Sequence, residues 1–125
     1  MSTLSVSNIT DGTDTVGTSY VVNGSAKAYI KMATDGSGTP AILSSLNVSS
    51  TTDNGTGSFS WDFTSNMSDG DYSVSYGLHN ASTSSPVATF VTNTSSQVNA
   101  GLRYATANSD NDWDDWSCQV HGDLA

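Results

Sequence analysis

Apolar and polar residues alternate with a period of two through most of the chain. Ala26, Ala28, Ile30 and Met32 alternate with Lys27, Tyr29 and Lys31, and this period puts the two sets on opposite faces of a strand. The run stops at residues 35–40, Asp-Gly-Ser-Gly-Thr-Pro, a cluster of breakers that predicts a loop. A second strand is expected from Ala41 to about Thr52. It ends in Asp53-Asn54-Gly55-Thr56-Gly57, where Asn54-Gly55 suits the positive φ angles of a tight hairpin. The partner strand is the clearest of all, with Phe59, Trp61 and Phe63 on one face and Ser58, Ser60, Asp62 and Thr64 on the other. After a turn-like stretch at 65–71, Tyr72, Val74, Tyr76 and Leu78 alternate with Ser73, Ser75, Gly77 and His79. Further strands are predicted at 86–92 around Val87, Phe90 and Val91, and at 97–107 with Val98, Ala100, Leu102 and Tyr104 facing one way. The last, at 116–121, sets Trp116, Cys118 and Val120 against Ser117, Gln119 and His121.

Short alternating strands separated by turn residues predict an all-β antiparallel β-sandwich, jelly-roll or immunoglobulin-like, of about seven to eight strands. Residues 1–23 carry Leu4, Val6, Ile9 and Val16 among Asp11-Gly12 and Gly17, too few apolar residues for a core. They read as an extended N-terminal arm or peripheral strand, with the sandwich over 24–125. Such arms order against a neighbour, because an isolated strand does not offset its own conformational entropy. A sandwich also leaves edge strands open, and few lysines guard them here; association of identical copies would cover them.

Composition sharpens this picture. Helix formers are scarce, and Ser, Thr, Val, Tyr and Asn favour strands and turns. Of the 125 residues only 12% are charged, about half the ordinary share, so solubility rests on hydroxyls and amides. The net charge of -9 comes entirely from aspartates, and the basic residues are Lys27, Lys31 and Arg103. That surface repels phosphate backbones and argues against a nucleic-acid partner. It disfavours an anionic membrane for the same reason. No apolar run is long enough for a membrane span, and the opening residues lack the pattern of a secretion signal, so synthesis in a cytoplasm is expected. The Asn-x-Ser/Thr triplets, as at Asn8, Asn23 and Asn47, then read as a product of composition rather than as glycosylation sites. Cys118, the single cysteine, has no intrachain disulfide partner and reads as a small buried hydrophobe.

Groups able to do chemistry are few, and no catalytic residue, metal or cofactor is expected. His79 and His121 fall on the polar faces of strand ends, without a second His or Cys at metal spacing. Serines and aspartates are too abundant for a Ser-His-Asp triad to be read from them, and no Gly-x-Ser-x-Gly elbow occurs. Asp62, Asp69 and Asp71 form a carboxylate group in or beside a solvated turn, which argues against paired-carboxylate catalysis. The sharpest local feature is residues 108–116. Asp110, Asp112 and Asp114 mimic the opening of a calcium loop, but Asp115 stands where the turn glycine belongs and His121 where a bidentate glutamate belongs. Trp113, between Asp112 and Asp114, suits a sugar ring or a cationic group if its indole is exposed; otherwise it packs on the sandwich edge beside a solvated acidic loop.

Residues 20–29, Tyr-Val-Val-Asn-Gly-Ser-Ala-Lys-Ala-Tyr, with 46–50, the block 52–57, the aromatic strand through Phe63 and the closing 118–123, resemble a module of phage tail-fibre-type proteins, especially of marine bacteriophages. The likeness runs from about Leu4 to the end. It implies a virion structural protein at the particle surface, trimeric and non-enzymatic, working with other virion proteins and contacting a host cell-surface glycan or protein. It transfers no binding residues. Residues 112–116 depart from the module, and with the chain opening at Met1 no preceding domain is expected to fasten it to a tail. A capsid decoration protein or head fibre is the alternative, with the arm clipping onto the shell.

Overall fold

The inward-facing residues of the strands predicted around Ile30, Trp61, Tyr76, Ala100 and Cys118 meet in one core, whereas Ile42, Leu43, Leu46 and Val87 of the other two predicted strands stay exposed. The computed structural model describes residues 3–34, 40–79, 86–105, 109–110 and 115–125. In chain order these form β1 (Asn8–Thr10), β2 (Thr15–Gly17), α1 (Thr18–Gly24), β3 (Ala28–Thr34), β4 (Pro40–Leu46), β5 (Val48–Asp53), β6 (Ser58–Phe63), β7 (Ser73–His79), β8 (Pro86–Asn93), β9 (Gln97–Tyr104), β10 (Ser109–Asp110) and β11 (Asp115–His121). One sheet has the order β4-β3-β11-β7. The other runs β5-β6-β9, with β8 also on β9. Because β8 already occupies one side of Arg103 and Tyr104, β10 pairs with these two residues from the other side, beyond the end of β6. All of these pairings are antiparallel, so the fold is an antiparallel β-sandwich.

Ala28, Ile30, Met32, Trp116, Cys118 and Val120 come from the first sheet, and Phe59, Trp61, Phe63, Val98, Ala100 and Leu102 from the second; all are buried. Val74, Tyr76 and Leu78 of β7 pack half-buried against them. The alternation read from the sequence is therefore the alternation of the two faces, except at Ser60, which the sequence pattern places on the wet face but which is buried on the central strand β6, covered by the Asn54 amide. Burying large side chains of this kind contributes about 1.5–3 kcal/mol each, the main term opposing chain entropy.

Three expectations change. The segment 41–52 is two strands rather than one. Asn47, at φ 56°, turns the chain between sheets, and its side chain holds the corner by accepting from Ser65 N–H at 2.6 Å and donating to Ser65 C=O at 2.9 Å. Asn tolerates this left-handed conformation better than other side-chain-bearing residues. The β5–β6 hairpin forms where predicted, but its connection is residues 54–57 and its positive φ angles fall on Gly55 and Gly57, not on Asn54. Asn54 instead donates from its amide to the buried Ser60 at 3.1 Å.

The N-terminal residues are more ordered than an extended arm. β1 and β2 form a two-stranded ribbon whose turn is fixed by Asp11, which accepts from the N–H groups of Thr13 and Asp14 at 3.0 and 2.9 Å. These two bonds hold its carboxyl below the ordinary value. α1 follows directly, ending at Gly24.

Candidate functional site

Strand directions give the sandwich two unlike ends. Asp115 pairs with both Ala33 and His79, Thr34 pairs with Pro40, and Tyr104 pairs with both Pro86 and Ser109. These strand ends flank residues 35–39, 80–85, 106–108 and 111–114, and Ser58 brings the β5–β6 hairpin to the same end through Gly101. We call this the loop end. The opposite, arm end carries the entry from α1 into β3, the Asn47 corner, the β8–β9 turn, the β6–β7 connection and the closing residues 122–125.

At the loop end Asp110 does not stand open as a cation ligand. Its pairing in β10 sets it beside Arg103 on β9, whose Nε donates to Asp110 Oδ1 at 2.6 Å. Asp115, at the other flank, accepts from Lys31 Nζ at 3.0 Å. Two of the three basic side chains thus neutralise the shoulders of the acidic segment. Asp112, Trp113 and Asp114, the residues singled out for recognition or calcium, lie outside the described residues. Among the described residues no three His, Cys, Asp or Glu side chains come together for a metal ion.

The other carboxylates separate. Asp62 sits on the second sheet, accepting from Ser50 at 2.5 Å and from the Gln97 amide at 2.8 Å. Asp69 accepts from Asp71 N–H at 2.8 Å within its own turn. The fold brings Asp69 and Asp71 to His121 and Asp123, around an open recess of about 290 Å³ at the arm end. That grouping had no signal in the sequence, since it joins positions some fifty residues apart. His79 is the last residue of β7. Cys118 is buried, and desolvation pushes its thiol well above the ordinary 9.0; a thiol so raised is not a nucleophile.

Also at the arm end, an apolar groove of about 450 Å³ lies between Ala26, Lys27, Leu46, Thr64, Ser65 and Leu124. Leu46 and Leu124 are 51% and 46% exposed there. Lys27 donates to Val22 C=O and, at 2.8 Å, to Ser25 Oγ, and has no carboxylate partner among the described residues. The N-terminal unit beside this groove leaves Leu4, Val6, Ile9, Val16, Tyr20, Val21 and Val22 exposed. Comparison with known family models, curated proteins and solved structures finds no match.

Proposed function

We propose that the protein is a bacteriophage virion structural protein, a tail-fibre-like surface module for host attachment that works by shape and contact rather than by catalysis. The observation that carries this reading is the polarity of the sandwich: strand ends flanking five connections gather at one end, and an uncovered apolar arm stands at the other. Loops on a rigid scaffold are the usual carriers of recognition, and an arm with unburied apolar residues is the kind of element that fastens a module to its assembly. The resemblance of residues 20–29 and 52–57 to tail-fibre modules supports the same reading. Its partners are other virion proteins, further copies of itself and a glycan or protein of the host surface, and its place is the virion surface.

Purified protein should bind host cells saturably and compete with adsorption of the phage. Absence of both at high protein concentration would contradict attachment. The exposed arm also favours the capsid decoration reading, since Leu4, Val6 and Ile9 suit clipping onto a shell. Gel densitometry of purified virions separates the two: a copy number comparable to that of the shell subunit means the head, a far smaller one the tail.

A further inference from the structure

We infer that the N-terminal unit of one copy docks in the arm-end groove of a second copy, its apolar residues meeting Leu46 and Leu124. This deepens the homo-oligomeric assembly proposed above and rests on it.

The arm has surface to bury, and among the described residues its apolar side chains stay exposed. A two-stranded ribbon such as β1–β2 is marginal in water without a packing partner. Yet Tyr20 is 75% and Val22 58% exposed on α1, and Leu4 is 82% exposed beside the ribbon. The groove presents the matching deficit, two half-exposed leucines around an open hollow.

Charge selects a second copy as the occupant. On a chain of net charge -9 most contacts between copies repel. Residues 3–25 carry just two charged side chains, Asp11 and Asp14, both at the ribbon's turn. The groove's one charged lining residue is Lys27, the single basic side chain not paired to an aspartate among the described residues. Arm and groove are thus of opposite sign as well as both apolar. The contact is heterologous, arm to groove, so repetition closes a ring if the rotation allows, which is how a cyclic trimer would form.

The test is sedimentation of the full chain and of Val22→Asp and Leu124→Asp, both at exposed positions, with melting temperature measured alongside. Wild type should self-associate, and each variant should weaken association by about thirtyfold or more with its fold intact. An equimolar mixture of the two variants should give one-to-one heterodimers and nothing larger, because the sound arm of Leu124→Asp meets the sound groove of Val22→Asp while the return contact joins the two damaged surfaces. A monomeric wild type would overturn both this inference and the homo-oligomer. Loss in Val22→Asp but not in Leu124→Asp, or a mixture that gives no heterodimer, would overturn arm-to-groove docking while leaving self-assembly standing.

Discussion

Trp61 and Trp116 meet across the sandwich with ring centroids 5.7 Å apart and planes inclined at 48°, one indole from each sheet. Phe59 joins them, 5.9 Å from Trp116. This cluster lies toward the loop end, next to the strand ends at Ser58 and Asp115.

Trp116→Ala should destabilise the fold by about 3–5 kcal/mol, the range for emptying a large aromatic site in a core. Trp116→Phe should cost clearly less, because the indole N–H of Trp116 is buried without a hydrogen-bond partner among the described residues. Urea denaturation of the three proteins checks the order.

Tyr72 closes the arm end. Its hydroxyl lies 3.0 Å from Thr94 C=O and 2.9 Å from Gln97 C=O, and its ring meets Phe63 edge-on at 5.7 Å. Tyr72→Phe keeps the packing and removes the donor, which should cost about 1 kcal/mol. Gly122→Ala should cost about 1–3 kcal/mol, since a Cβ there would stand 2.6 Å from Tyr72 Cβ. Thermal melts of both variants test the pair.

Burial raises the phenols of Tyr72 and Tyr76 above the ordinary 10.0 and the thiol of Cys118 above 9.0, with the Cys118 charge adding to both phenol shifts. Groups whose folded value is raised hold their protons longer folded than unfolded. Their contribution is therefore complete below the unfolded values and is lost as pH rises past them. Stability should be level up to about pH 8 and fall by about pH 11. Denaturant midpoints across that range check it; a midpoint that rises with alkali would contradict the burial of these groups.

Asn47 offers a test of the corner. Asn47→Ala removes both bonds to Ser65 and leaves a Cβ residue at φ 56°, whereas Asn47→Gly removes the bonds but not the tolerance for that angle. The alanine variant should be the less stable of the two by about 1 kcal/mol. Equal midpoints would show that the angle carries no cost.

Most of the core was legible in the sequence, because one wet face and one dry face leave a period-two record: Phe59-Trp61-Phe63 and Trp116-Cys118-Val120 point inward as expected. The sheet change at Asn47 was not, since Ile42, Leu43, Leu46 and Val48 read as one continuous apolar strand and the break is a single backbone angle. α1 was missed because Tyr20-Val21-Val22 is strand-like in propensity and short helices have little periodicity to show. Arg103 and Asp110 are seven residues apart and became a pair only through β10, whose two residues carry no strand pattern. The recess of His121 with Asp69 and Asp71 depends on tertiary contact alone.

Imaging intact particles of the encoding phage by electron cryomicroscopy, with the sandwich fitted into the density, tests the central claim most directly. The account predicts the sandwich at the particle surface with its arm end toward the virion and its loop end outward. Particles that lack the protein, or that hold it with the loop end buried, would contradict it.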